Sequence, residues 1–283
     1  MRSKKLTLIS VVLSLIFLIS LLMTVNTYVL AQDGTKTTVT AKGKGIWILP
    51  GLRKLDPEIF GTPDKPLRLE AVPLENRVVS EDGESFTTTK NPGPFSNNVK
   101  EITGKLNIEV WDRTILDTPK SQDIAALTAE FTDPSGKNTY QVKLQKLIPV
   151  GPDHQFFGGA GTNIFMHGTT GIGDPQMPNS WSYLTLWGMG NFYRNGKLLD
   201  TNRIVHVMVT QRLRDENYKL GFGIAQQDEL EIHLIMPNEK VSEGHPVVSP
   251  LPTQFKLPNG QSQPFIHVNF YENIEVKGNK FLE

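Results

Sequence analysis

The fold is decided by residues 181–211, which read WSYLTLWGMGNFYRNGKLLDTNRIVHVMVTQ. The dipeptide Asn195-Gly196 lies between two long runs rich in apolar and β-branched residues. This dipeptide tolerates the positive φ angles that both central positions of a type I′ turn require, and such turns join antiparallel strands. The sequence therefore predicts a β-hairpin in which one strand ends at Arg194 and the next begins at Lys197.

The first strand of this hairpin carries a row of aromatic residues at alternate positions. Because successive side chains of a strand point to opposite faces, Trp181, Tyr183 and Trp187 are expected on one face and the leucines between them on the other. Rings of this kind suit stacking on a sugar or gripping an apolar ligand, and they also dominate ordinary sheet packing. We predict a ligand-binding role for the three aromatic residues, with sheet packing as the alternative.

Further strands are indicated on both sides of the hairpin. Alternation in residues 105–111 indicates a strand with one buried face, and the turn Asp133-Pro134-Ser135-Gly136 indicates a second hairpin. Residues 67–72 are interpreted as an edge strand within a proline-rich stretch. No amphipathic helix is found beyond the N-terminal segment, and no alternation of strands with helices. The predicted fold is all-β, an antiparallel β-sandwich or barrel with long Pro/Gly-rich loops.

Three segments are expected along the chain. Residues 1–31 begin with a basic run, continue with an apolar run and end in small residues, which is typical of a signal peptide. The apolar run approaches membrane-spanning length, so an N-terminal anchor helix, attached through residues 6–30, is the alternative. Residues 32–98 are read as a Pro-rich extended region with short strands, and residues 99–283 as the all-β domain. The predicted location is periplasmic, secreted or extracytoplasmic and membrane-anchored.

Composition limits the chemistry. The chain has no cysteine, which excludes disulfides and thiolate metal ligands. It contains 29 Lys and Arg and 29 Asp and Glu, and three of the basic but none of the acidic residues lie in 1–31, so the exported part carries a net charge of about −3. No basic tract follows that would attract phosphate backbones, and no nucleic-acid partner is predicted.

Four histidines occur at the centres or ends of predicted strands: His167, His206, His233 and His267. Where their neighbours are aliphatic, alternation places the imidazoles on the face opposite the core. If the strands adjoin, these histidines converge, and we predict a ligand-facing surface formed by His206, His233 and His267. With a carboxylate, the four imidazoles would also suit a divalent metal such as zinc or iron.

The remaining charged groups are interpreted as surface features. Glu231 is assigned to a solvated strand edge, and Arg203, Arg212 and Arg214 to surface ion pairs. The glycine-rich run at residues 158–173 matches no phosphate-binding motif, and no nucleophile elbow is present. The leading hypothesis is an exported, non-enzymatic β-domain protein that binds a small apolar molecule, a glycan or a protein partner. The alternative is a metal-dependent enzyme of small β-barrel type that uses the strand histidines.

Overall fold

The computed structural model describes residues 34–88, 93–113, 122–149, 159–225 and 229–283, and their regular secondary structure is almost entirely β. The strands are β1 (Thr35–Ile48), β2 (Gly61–Thr62), β3 (Lys65–Pro66), β4 (Val78–Val79), β5 (Phe86–Thr87), β6 (Val99–Asp112), β7 (Ile124–Thr132), β8 (Thr139–Leu147), β9 (Ala160–Gly161), β10 (Ile164–Met166), β11 (Ser180–Arg194), β12 (Lys197–Gln211), β13 (Leu230–Pro237), β14 (Glu239–Ser242), β15 (His245–Val248), β16 (Phe265–Phe270) and β17 (Glu275–Lys277). The helices are α1 (Pro57–Phe60) and a single 3-10 turn (Leu74–Asn76).

Eight antiparallel strands close into a barrel. Their order is β11–β8–β7–β6–β1–β16–β13–β12, and β12 returns to pair with β11. The predicted all-β fold is confirmed, and of its two architectures the barrel is the one observed. Closure removes the free edges that an open sheet would present to other chains.

The barrel interior is filled with side chains. The valines of β12 at positions 205, 207 and 209 are fully buried there, and the register places Leu184 and Leu186 of β11 opposite two of them. Trp47 lies in the same interior, edge-on to Phe131 at 5.6 Å between ring centroids. An eight-stranded barrel is just narrow enough for side chains to fill, so this interior is a core.

Both predicted hairpins are confirmed. Asn195 and Gly196 join β11 to β12 with φ angles of 48° and 78°, as a type I′ turn requires. Residues 133–138 join β7 to β8, and Gly136 has a φ of 69° there. Local turn chemistry therefore sets the register of two of the barrel's pairings.

The outside of the barrel is covered on the side of β12, β13 and β16. Loop residues, together with Met166 of β10 and Met208 of β12, form an apolar cluster on this wall: Phe95, Met166, Met177, Met208, Leu213 and Leu220. Outward-facing side chains of these strands therefore lie between two layers. This arrangement decides the environment of the histidines.

The prediction of an edge strand at residues 67–72 is wrong. The described chain is irregular there, and Leu67 is exposed. The carbonyl oxygen of Val72 accepts a hydrogen bond of 2.9 Å from the side chain of Arg77, which takes the place of a strand partner. The flanking Pro66 and Pro73 lack the N–H groups that a ladder would need.

Of the strands in residues 32–98, β1 belongs to the same sheet as the barrel strands of residues 99–283, whereas β2 with β3 and β4 with β5 form two small sheets of their own. β1 lies between β6 and β16 in the barrel, and the chain from Thr35 to Glu283 forms one compact unit. The signal peptide or anchor predicted at residues 1–31 lies outside the described residues. Within those residues, none of the helices has the length and apolar character needed to span a bilayer.

Candidate functional site

The aromatic row of β11 is divided by a bulge. The register shifts between Ser182 and Leu184, so that Ser182 pairs with Thr210, and Trp187 pairs with His206. Thr210 and His206 are four residues apart on one strand and share a face, and Ser182 therefore faces the same way as Trp187. Trp181, next to Ser182, points to the opposite face. The predicted single face of Trp181, Tyr183 and Trp187 is wrong, because a bulge inserts one unpaired residue and inverts the alternation.

Trp181 packs among other aromatic side chains. Its ring centroid is 5.4 Å from that of Phe165 and 5.3 Å from that of Phe281 near the C-terminus. The carbonyl oxygen of Tyr183 accepts a hydrogen bond of 2.8 Å from the amide of Asn279. These contacts attach the C-terminal segment to the barrel, and ordinary packing accounts for Trp181.

Trp187 is stacked on His206. The ring centroids are 4.1 Å apart and the planes differ by 17°. The Nδ1 atom of His206 lies 2.9 Å from the carbonyl oxygen of Leu186. Since a carbonyl oxygen only accepts, Nδ1 carries the proton and donates, which fixes the imidazole ring. The imidazole of His206 therefore supports one face of the indole, and the backbone holds the imidazole in place.

Trp187 lines a cleft on the outside of the barrel. The cleft has a volume of about 770 Å³, is partly open to solvent, and is lined mainly by apolar atoms. Met189 and Ile204 continue its floor, and the hairpin of β14 and β15 forms one wall. In the sequence, alternation along the strand predicts that Trp187 and Met189 share one face. No sequence pattern predicts that the hairpin of β14 and β15 lies beside them.

A second cluster brings two of the predicted histidines together. The Nδ1 atom of His233 lies 3.0 Å from the Nε2 atom of His267, and the register makes them diagonal neighbours on β13 and β16. On its other side, His233 Nε2 is 2.6 Å from a carboxylate oxygen of Glu231. The distance is that of an ion pair, whereas its direction does not meet the geometry of a hydrogen bond. Both groups are buried.

The contact between His267 and Pro94 determines which nitrogen atoms of the two histidines carry protons. His267 Nδ1 is 2.6 Å from the carbonyl oxygen of Pro94, which can only accept, so Nδ1 donates. In a neutral imidazole Nε2 is then an acceptor, and His233 Nδ1 must donate to it. The second nitrogen of His233, Nε2, is the atom that lies 2.6 Å from Glu231.

The cluster is closed to solvent and contains further charged groups. Glu231 and His267 are 0% exposed, so the interpretation of Glu231 as part of a solvated edge is wrong. Arg214 is also buried, and its guanidinium donates to the carbonyl oxygens of Tyr218 at 2.8 Å and Ser96 at 3.0 Å. The covering loops that hold these carbonyls explain why Arg214 is not in a surface ion pair. Arg203, also predicted in a surface ion pair, does pair with Asp200 at 3.6 Å, but it is fully buried, and it donates to the carbonyl oxygen of Ser249.

Burial shifts the pKa values in this cluster in the directions that favour the neutral forms. The pKa of His267 lies well below 6.5, first because of burial and then because of nearby His233 and Arg214. Burial, followed by the Glu231 carboxylate, raises the pKa of the Tyr271 phenol well above 10.0. Burial also lowers the pKa of the Arg214 guanidinium. His267 and Tyr271 are therefore neutral at pH 7.

His167 is held separately, in the glycine-rich loop after β10. Its Nδ1 accepts a hydrogen bond of 3.1 Å from the backbone N–H of Asp174, and its Nε2 lies 3.4 Å from the sulfur of Met208. Burial, with a smaller effect of His233, lowers the pKa of His167 to about 3. A Cβ at Gly173 would lie 2.6 Å from the imidazole, so glycine is required for this close approach.

The four histidines thus fall into three environments. His233 and His267 contact each other, His206 supports Trp187, and His167 is held by its own loop. Among the residues that the structure describes, no group of three or more His, Cys, Asp or Glu side chains is arranged to hold a metal ion. Comparison with known proteins found no matching family model, no similar curated protein and no similar solved structure.

Proposed function

We propose that this protein is an exported, non-enzymatic β-barrel that binds a small ligand in the cleft beside Trp187. The observation that carries the proposal is the cleft itself, because its volume of about 770 Å³ lies within the range of small-molecule sites. Its floor presents a half-buried indole held in one orientation by His206. A pre-positioned aromatic ring reduces the entropy lost when a ligand binds.

The position of the histidines favours binding over catalysis by an imidazole. All four predicted histidines are buried, and none of the histidines that the structure describes lines the cleft. A general acid or base must come within hydrogen-bond distance of its substrate. His206 is proposed to act as a support beneath the indole, and the ligand-facing role predicted for His233 and His267 receives no support from their burial.

Export is the second part of the proposal and rests on residues 1–31. Fractionation of producing cells, followed by N-terminal sequencing of the exported protein, tests it. We expect a mature chain that begins at Gln32, after removal of the segment ending at Ala31. A protein recovered only from the cytoplasm would exclude export, and one that keeps residues 1–31 in the membrane fraction would favour the anchor.

Binding in the cleft is tested with a neutral fluorescent probe, N-phenyl-1-naphthylamine. We expect its emission to rise with wild-type protein and to lose most of this increase with Trp187→Ala. Trp111→Ala is the matched control, since Trp111 is 40% exposed on β6 and does not line the cleft. Equal binding by wild type and Trp187→Ala would contradict the proposal.

A further inference from the structure

We propose that Asn195 is a modification site at which the folded chain deamidates without an enzyme, by cyclisation of the side-chain carboxamide onto the backbone nitrogen of Gly196. The inference is independent of the proposed ligand and of the cleft. It is drawn from a comparison within one molecule, because the chain contains two Asn-Gly dipeptides, Asn195-Gly196 and Asn259-Gly260, and the structure holds them differently.

The reaction needs an asparagine followed by an unhindered amide. The nitrogen of the following residue loses its proton and attacks Cγ of the asparagine. A new C–N bond closes a five-membered imide, and the bond from Cγ to Nδ2 breaks, so that ammonia leaves with that proton. Water then opens the imide at either carbonyl group and gives aspartate or isoaspartate. Glycine favours the attack because it has no Cβ to obstruct it.

The two dipeptides share the features that activate the carboxamide. Both asparagines are exposed. The Oδ1 atom of Asn195 accepts a hydrogen bond of 2.9 Å from the backbone N–H of Thr139, and that of Asn259 accepts one of 3.0 Å from the backbone N–H of Gln261. Negative charge develops on this oxygen during the attack, and an N–H donor at such a distance stabilises it. The carboxamides therefore do not distinguish the two sites.

The attacking nitrogens do distinguish them. The N–H of Gly260 donates a hydrogen bond of 2.8 Å to the carbonyl oxygen of Leu257, which closes its turn. The N–H of Gly196 makes no hydrogen bond with any residue that the structure describes, and a Cβ at this position would meet no atom within 4 Å. A hydrogen-bonded amide loses its proton only when the bond opens, as in hydrogen exchange. The nucleophile is therefore available at Gly196 and withheld at Gly260.

The modification falls on the turn that joins the longest described strands. β11 and β12 have 15 residues each, and Asn195 and Gly196 connect them with φ angles of 48° and 78°. An aspartate at this position preserves the turn, because Asp-Gly also suits type I′. Isoaspartate inserts a methylene group into the backbone of the two-residue loop. We therefore expect the isoaspartate form, and not the aspartate form, to weaken the hairpin.

Peptide mapping by mass spectrometry tests the inference. The folded chain is incubated at mildly alkaline pH, and conversion of Asn195 and of Asn259 to the acid is followed in the same digest. We expect Asn195 to convert several-fold faster than Asn259. In concentrated urea, where neither turn is held, the two rates should become similar. Equal conversion at the two sites in the folded chain, or faster conversion at Asn259, would overturn the inference.

Two matched variants give a second readout, which is the ammonia released by the folded protein. Asn195→Asp keeps a residue that suits the turn and removes this carboxamide, and Asn259→Asp does the same at the other dipeptide. We expect Asn195→Asp to lose most of the early ammonia release and Asn259→Asp to keep it. Release that is unchanged in Asn195→Asp would overturn the inference.

Amide hydrogen exchange tests the cause directly. We expect the N–H of Gly196 to exchange about as fast as in the unfolded chain, and that of Gly260 to exchange several-fold more slowly than there. The measurement needs no substitution, so it does not depend on the folding of a variant. Equal protection of the two amides would remove the stated difference between the sites and overturn the inference.

Discussion

The Nδ1 atom of His233 and the Nε2 atom of His267 are 3.0 Å apart, and the hydrogen bond between them has only one possible direction. The carbonyl oxygen of Pro94 requires the proton of His267 on Nδ1, so His233 must be the donor. A second proton on His267 would place two N–H groups against each other in a site that also contains Arg214. Burial and these nearby groups therefore favour the neutral form of His267.

Stability is expected to fall with pH below about 6.5. The folded-state pKa of His267 lies well below 6.5, and that of His167 is about 3, mainly because both are buried. Above pH 6.5 both groups are neutral in the folded and unfolded chains. Below it the unfolded chain binds protons that the folded chain does not, so each group lowers the free energy of unfolding by up to about 1.4 kcal/mol per pH unit. For His167 the loss ends near pH 3.

Urea unfolding between pH 5 and pH 8 measures this slope. His267→Gln should show a shallower slope than wild type, and His245→Gln, at an exposed position on β15, should keep the wild-type slope. Asp174 acts in the opposite direction, since burial raises its pKa, so the comparison of variants isolates His267. Equal slopes in His267→Gln and wild type would show that His267 does not titrate in this way.

Glu231 is expected to tolerate an amide better than an alanine. The Nε2 atom of His233 faces Glu231 at 2.6 Å and needs either a donor or an acceptor there. Glu231→Gln offers an N–H donor, whereas Glu231→Ala leaves a buried nitrogen without a partner. We expect Glu231→Ala to lower the free energy of unfolding by about 3 kcal/mol and Glu231→Gln by clearly less. Equal losses in the two variants, measured by urea unfolding at pH 7.5, would refute a stabilising polar contact between residue 231 and His233.

The sequence predicts the barrel better than it predicts the site, because the strands and turns of the barrel are indicated by short-range sequence patterns. Asn195-Gly196 and the alternating valines of β12 are local signals, and both predict the observed structure. The face of Trp181 was not predictable from alternation, since a bulge at β11 inverts it. The burial of Glu231 and Arg214 depends on loops distant in the chain, including Ser96, and no local pattern reports such a cover.

The metal-dependent alternative makes a separate prediction. Since no group of three ligands is found among the described residues, we expect purified protein to contain less than one equivalent of zinc, iron, copper or manganese. Elemental analysis of protein prepared without chelators measures this. Replacement of His206 and His233 should leave the metal content unchanged. One full equivalent of a metal that is lost in both variants would revive the enzyme hypothesis.

Replacement of Phe95 tests whether the covering loops stabilise the barrel. Its ring meets the imidazole of His267 edge-on, with centroids 6.1 Å apart, and the side chain is 7% exposed within the outer apolar cluster. Phe95→Ala removes this packing and opens the cluster, so we expect it to lower the free energy of unfolding by about 3 kcal/mol. Phe222→Ala is the control, since Phe222 is 48% exposed, and we expect a loss within about 1 kcal/mol. Chemical denaturation gives both values, and equal losses would mean that the segment carrying Pro94 contributes little to holding His267 in place.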